Sequence, residues 1–185
     1  MAKSNLSAAR IAAGRDFLTA LRRLGLRPEG LFWAVDHSIS EQVLVLITGM
    51  YDHAGPLALN KKLFEAYNLA ATPREISPFI VRTHSPREDI AKHLRAFELT
   101  HKNHVIQIGL DDDRDSISSW SLSATAENPN TLDTGFFKLD SIEIRGTDMS
   151  LLLDGFYLLD VAVKSTADRI AEWSRFTRRV NALAA

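Results

Sequence analysis

Acidic and imidazole side chains occur together at several points of this sequence, in combinations that can bind a metal ion or move a proton. Asp52 is followed by His53, His84 stands after an apolar run, and a block of aspartates begins at Asp111. Carboxylate and imidazole groups are common ligands of divalent cations, and either can act as a general base. A metal-assisted hydrolase acting on a phosphate-containing substrate is therefore one function that the sequence permits.

These side chains share a site only if the segments after Val43 form strand, helix, strand, helix and strand. Right-handed crossovers make such strands parallel and bring their carboxyl ends to one edge of the sheet. The catalytic candidates are Asp52, His53 and His84, and the metal candidates are Asp111, Asp112 and Asp52. Because Asp is abundant in loops for turn formation alone, a solvated polar edge without catalysis is the simpler interpretation.

Composition limits the remaining classes of function. The chain has 185 residues, 45% of them hydrophobic, which suits a single domain with its own core. The absence of Cys excludes disulfides, thiolate metal sites and cysteine nucleophiles, and no motif indicates a cofactor. The sequence shows neither the apolar core of a signal peptide nor an apolar run near the ~20 residues that span a bilayer. We therefore expect a cytoplasmic protein that does not bind membranes.

Charge is distributed unevenly, although the formal net charge is only −1. Residues 1–30 hold six Lys/Arg against two Asp/Glu, and residues 164–185 hold five against two. The residues between them hold eleven against nineteen. Basic terminal segments can lie beside the acidic body of another copy, so this distribution favours a homo-oligomer or another protein partner.

The pattern of apolar residues and turn signals predicts an α/β or α+β fold. Ser7 can cap a helix over 8–24, and Gly25 can end it. Residues 31–35 and 43–48 are typical of a β-hairpin near the amino terminus. Shorter apolar runs follow, so we expect a mixed sheet of about five to six strands with flanking helices and a long C-terminal helix.

An apolar stripe at three- and four-residue steps predicts that C-terminal helix over about 149–183. The stripe comprises Met149, Leu152, Phe156, Leu159, Val163, Thr166, Ile170, Trp173, Thr177 and Val180. Two alternatives remain: Asp154-Gly155 is typical of a hairpin turn, and Ser165 with Asp168 can cap a separate, shorter helix. An unbroken helix would be about 50 Å long at 1.5 Å per residue, longer than one compact domain needs.

Residues on this predicted helix favour two kinds of partner. The interface candidates for self-association are Ile170, Trp173, Val180 and Leu183, and the nucleic-acid candidates are Arg169, Arg175, Arg178 and Arg179. Arginines on one helix can contact phosphates, although a solvated basic face is also ordinary. The leading hypothesis is a non-catalytic interaction or binding protein that assembles through its terminal helices. The alternatives are the hydrolase and an accessory nucleic-acid-binding protein.

Overall fold

A computed structural model describes residues 6–91, 106–108, 120–122, 141–144, 147–159 and 164–184. In chain order the elements are α1 (Ala8–Leu24), β1 (Gly30–Asp36), β2 (Glu41–Ile47), α2 (Met50–Ala54), α3 (Pro56–Asn68), a 3-10 turn (Pro78–Ile80), β3 (Val81–His84), β4 (Ile106–Ile108), β5 (Trp120–Leu122), β6 (Ser141–Ile144), β7 (Met149–Leu159) and α4 (Thr166–Leu183). Five strands form one mixed sheet with helices on it, so the predicted α/β fold with flanking helices is confirmed.

The first helix begins and ends where its sequence signals predict. The hydroxyl of Ser7 accepts a hydrogen bond from the backbone N–H of Arg10, which satisfies one of the free donors at the helix start. Gly25 follows the helix with φ of 94°, a left-handed conformation that glycine adopts without steric cost. One face of the helix, including Phe17 and Leu21, is buried against the sheet.

The large sheet has the strand order β3-β2-β1-β7-β6. The predicted hairpin is confirmed: β1 and β2 pair antiparallel, with Gly30 opposite Ile47 and Asp36 opposite Glu41. Strands β2 and β3 are parallel, and α2 and α3 connect them. The expectation of a third parallel strand is wrong, because β4 pairs antiparallel with β5 in a separate two-stranded sheet. An apolar run identifies a buried strand but does not indicate which other strand pairs with it.

Both faces of the central strands are buried. Trp33, Leu44 and Leu46 lie on the face covered by α1, α3 and α4, while Phe32 and Val45 lie on the opposite face. All seven residues of β1 are buried. This burial explains why β2 has an uninterrupted apolar run, since a strand covered on both sides has no solvent face that requires polar residues.

The unbroken helix predicted over 149–183 is wrong, because its first third is the strand β7. This strand pairs with β1 on one side and β6 on the other. Met149 and Phe156 pack on one face of the sheet, whereas Leu152 packs on the other, so the three-residue and four-residue steps reflect two buried faces. Periodicity alone cannot separate such a strand from a buried helix.

The hairpin alternative for this segment is also wrong, since Asp154 and Gly155 lie inside β7. Gly155 is needed there for close packing: a Cβ atom on it would lie 2.7 Å from Cβ of Trp33 and would also collide with Leu6. Glycine inside a strand often marks such a close approach of a neighbouring side chain.

The C-terminal helix begins at the second of the predicted caps. The hydroxyl of Ser165 accepts from the backbone N–H of Asp168, and the Asp168 carboxylate accepts from the backbone N–H of Ser165. The Ser165 hydroxyl also donates to Oδ2 of Asp168 at 2.6 Å, and this bond, together with the one from the Ser165 backbone N–H, lowers the pKa of Asp168. The 18 residues of α4 make a helix of about 27 Å, close to half the length predicted for an unbroken one.

A tight contact between α1 and β7 fixes their relative position. The Tyr157 hydroxyl donates to the backbone carbonyl of Ile11 at 2.8 Å and accepts from the indole N–H of Trp33 at 3.1 Å. Burial of the phenol raises the pKa of Tyr157 to about 12. A Cβ atom on Gly14 would lie 2.5 Å from Cε2 of Tyr157, so the helix can approach the ring only where it carries no side chain.

We therefore expect Gly14→Ala to destabilise the protein. Overpacking of this kind costs about 1–3 kcal/mol, of which the better helix propensity of Ala restores at most about 1 kcal/mol. Urea unfolding measures the difference. In a Tyr157→Ala background the same substitution should be neutral or stabilising, because the ring that it collides with is gone. An equal loss in both backgrounds would contradict the proposed contact.

Candidate functional site

The parallel pairing of β2 and β3 does bring polar side chains to one edge of the sheet. The backbone N–H of Thr48, after β2, donates to the carbonyl of His84 at the end of β3. The imidazole Nδ1 of His84 lies 2.6 Å from Oε2 of Glu88, and Oδ2 of Asp52 lies 3.7 Å from Nε of Arg87. The nearest partners of the two predicted catalytic residues are therefore a glutamate and an arginine.

The remaining residues of the predicted metal site do not complete it in the described part of the chain. His53 lies exposed in the last turn of α2. Asp111 and Asp112 fall outside the described residues. Among the residues that are described, no three His, Asp or Glu side chains are placed to hold one metal ion. Metal-assisted hydrolysis stays a prediction.

A serine and a histidine that are not among the predicted site residues lie within hydrogen-bond distance. Oγ of Ser150 on β7 is 2.7 Å from Nε2 of His37 in the hairpin turn. This is the distance expected of a nucleophile and its base. Ser150 is buried, however, and the nearby Asp36 carboxylate accepts from the backbone N–H and hydroxyl of Ser38. The contact ties the hairpin turn to β7.

Two glutamates are buried where α4 meets the rest of the domain. Glu29 is 5% exposed and Glu172 is 4% exposed. Nζ of Lys164 lies 2.7 Å from Oε2 of Glu172 and 3.4 Å from Oε1 of Glu29, so one ammonium group serves both carboxylates. It also donates to the backbone carbonyl of Arg27. We call these three side chains the buried charge cluster.

Backbone N–H groups complete the cluster. Oε2 of Glu29 accepts from the N–H of Gly49 at 3.0 Å, and Oε1 of Glu172 accepts from the N–H of Arg27 at 2.6 Å. The side chain of Arg169 packs over Gly49, where a Cβ atom would lie 3.2 Å from its Cδ. The cluster therefore joins α4 to the loop before β1 and to the turn after β2.

Sequence reasoning missed this cluster because a glutamate on an amphipathic helix is usually solvated. Glu172 lies on the same helix face as Phe176 and Val180, which are both buried. The signal that could have revealed it is the four-residue spacing of these positions. Hydropathy alone assigns Glu172 to the polar face of the helix, whereas its spacing from Phe176 and Val180 places it on the buried face.

The buried charge cluster makes stability depend on pH. Burial raises the pKa of Glu29, although the Lys164 ammonium and the Gly49 N–H oppose the shift. An acid whose pKa is higher in the folded state binds more protons there than in the unfolded state. Its contribution to stability is therefore greatest at low pH and decreases as the pH rises from the unfolded pKa through the folded one.

We accordingly predict that Glu29→Gln becomes more stable relative to the wild type as the pH rises from about 4, near the ordinary glutamate pKa, to about 7. The amide oxygen can still accept from Gly49, while the buried charge is removed. The free energies of unfolding from urea titrations across this range give the comparison. The exposed Glu75→Gln serves as control, and a difference that is constant with pH would refute the assignment.

Comparison with protein-family models, with curated proteins and with solved structures finds no match for this chain. Within the described ranges, none of the helices has the length and apolar character needed to cross a membrane.

The arginines predicted to bind nucleic acid differ in their surroundings. Arg169 packs over Gly49, as described above, and the side chain of Arg175 packs over Gly25. The guanidinium of Arg179 donates to the backbone carbonyl of Arg23 at the end of α1. Arg178 is exposed. Three of the four thus contact the folded chain, and two of these contacts lie at the end of α1.

The residues predicted to form an oligomer interface are divided between core and surface. Val180 is buried, and Trp173 packs against the main core beside the buried ring of Phe176. Ile170 and Leu183 remain exposed. Part of the apolar stripe is therefore used inside the chain, and its exposed members do not form a continuous strip, because their positions differ by about 140° around the helix axis.

A more prominent apolar surface lies on the outer side of α3, and sequence reasoning did not identify it. Leu57 is 85% exposed and Phe79, in the 3-10 turn before β3, is 76% exposed. The rings of Phe64 and Phe79 are in edge contact, with centroids 5.0 Å apart. We call Leu57, Phe64 and Phe79 the α3 apolar surface.

Proposed function

We propose that this protein is a non-catalytic interaction protein that self-associates through the α3 apolar surface. The observation that carries the proposal is the high exposure of Leu57 and Phe79, which are the most exposed large apolar side chains among the described residues. Clustered exposed apolar side chains are unusual on monomeric proteins and mark interaction sites. Burying each such side chain contributes roughly 1.5–3 kcal/mol to association.

The three side chains are close enough to act as one surface. Leu57 and Phe64 are seven residues apart on α3, which places them on the same side of the helix two turns apart. Phe64 contacts Phe79. Asn60, which lies between Leu57 and Phe64 on α3, accepts a hydrogen bond from the Thr83 hydroxyl on β3 at 3.2 Å. The α3 apolar surface therefore runs alongside β3.

The position of β3 supports a second copy as the partner. This strand is at one end of the five-stranded sheet, and the described residues include no strand on its outer side. Edge strands carry backbone groups that pair with another strand, and a two-fold axis would bring the same edge and the same apolar side chains together. Both copies would then bury Leu57 and Phe79.

Sedimentation velocity of three proteins tests this proposal. We expect the wild type to sediment as a dimer and Leu57→Ser with Phe79→Ser to sediment as a monomer. Ile170→Ser with Leu183→Ser is the matched control, because it removes two exposed apolar side chains from α4 instead. This control should remain dimeric.

Two outcomes would contradict the proposal. A monomeric wild type would remove self-association altogether. A monomeric α4 variant beside a dimeric α3 variant would transfer the interface to the C-terminal helix. Circular dichroism of each variant verifies folding, which we expect to be retained because the substituted side chains are exposed.

A further inference from the structure

Two basic segments from opposite ends of the chain meet on one surface. The first is the end of α1 and the following loop, and the second is the latter half of α4. Their contact is direct: Arg179 donates to the carbonyl of Arg23, and Arg175 packs over Gly25. The combined set, which we call the arginine surface, is Arg22, Arg23, Arg27, Arg175, Arg178 and Arg179.

The positive charge of this surface is uncompensated in the described part of the chain. Residues 17–28 and 173–184 contain no Asp or Glu. None of the ion pairs found among the described residues involves any of the six arginines. The nearest acid along α4, Glu172, is buried and paired with Lys164. Five of the arginines are exposed, and Arg175 is partly buried.

The chemistry of the surface indicates a phosphate-bearing partner. All six cations are arginine, whose planar guanidinium forms paired hydrogen bonds with phosphate oxygens. Helices and backbone contacts hold Arg175 and Arg179 in place, so little conformational entropy is lost when they bind. Several such groups on one surface fit a polymer that carries many phosphates.

The apolar residues between these arginines help to identify the polymer. The side chains of Phe176 and Val180 are buried, and Trp173 packs against the core. Binding of single strands relies on exposed aromatic side chains that stack on bases, and membrane-surface helices insert apolar side chains into lipid. The surface between the arginines offers neither stacking nor lipid-inserting side chains. The remaining partner is a nucleic acid whose phosphate backbone is already ordered, as it is in a duplex.

We propose that the arginine surface binds the sugar-phosphate backbone of a nucleic-acid duplex. This activity goes beyond self-association and uses a different part of the molecule. It extends the set of arginines predicted from α4 alone by three residues from the α1 end. It leaves out Arg169, which lies over Gly49 after β2 and not beside the end of α1.

Fluorescence anisotropy with a labelled DNA duplex, at salt concentrations from about 50 to 200 mM, tests the proposal. Six phosphate contacts predict a slope of about −5 in log K against log salt, since each contact contributes about −0.9. Arg27→Gln with Arg178→Gln should reduce the magnitude of this slope by about 2 and weaken binding by at least roughly tenfold. Both side chains are exposed, so the variant should fold as the wild type does.

The matched control is Arg74→Gln with Arg87→Gln, which removes the same charge from exposed positions outside the surface. It should retain the wild-type slope. Absence of binding at the lowest salt, or equal weakening by both double variants, would overturn the proposal. So would tighter binding of a single strand of the same length, or binding of phosphatidylserine vesicles in the absence of duplex binding. The monomeric Leu57→Ser with Phe79→Ser variant should still bind the duplex, which separates this proposal from self-association.

Discussion

The arrangement of this domain depends on the burial of two carboxylates beside a single ammonium group. Glu29 and Glu172 come from distant parts of the chain, and Lys164 contacts both. A buried charge without a partner costs several kcal/mol, so the three groups are stable only when they are assembled together. Their backbone partners, Gly49 and Arg27, extend this requirement to two loops. The apolar face of α4 supplies the energy of packing, while the buried charge cluster determines where the helix must lie.

This position of α4 explains how the surfaces of the molecule arise. Glu172 accepts a hydrogen bond from the backbone of Arg27, and one turn later Arg175 lies over Gly25. The α1 end and the latter half of α4 are thereby held side by side, with five of their six arginines exposed and with Phe176 and Val180 directed inward. The proposed nucleic-acid surface is in this sense a product of tertiary structure, because neither helix alone carries all six cations. The α3 apolar surface is formed separately, along the edge strand β3.

Local signals in the sequence were sufficient for the elements that they border. Ser7 and Gly25 bound α1, and Ser165 with Asp168 begins α4, because each signal is satisfied by neighbouring backbone groups. The nature of β7 could not be predicted in the same way, because a strand buried on both faces lacks the alternation of apolar and polar residues that identifies a half-exposed one. Gly155 is explained by the approach of Trp33 and Leu6, which only the folded structure shows. The parallel pairing of β2 and β3 was predicted correctly, but Arg87 and Glu88, the partners of Asp52 and His84, are set by side-chain packing. The buried charge cluster brings Glu29 together with Lys164 and Glu172, more than 130 positions away, and no local sequence pattern indicates a contact at that separation.

The central claim, that the buried charge cluster holds α4 in place, is tested most directly by hydrogen exchange of Lys164→Met. Removal of the ammonium leaves two buried carboxylates without their cation, and the account predicts that amides of residues 169–183 lose protection to a greater extent than those of β1. Lys61→Met, at an exposed position on α3, is the control and should leave both regions unchanged. Equal protection of α4 in the Lys164 and Lys61 variants would contradict the account, as would an equal loss of protection in α4 and β1.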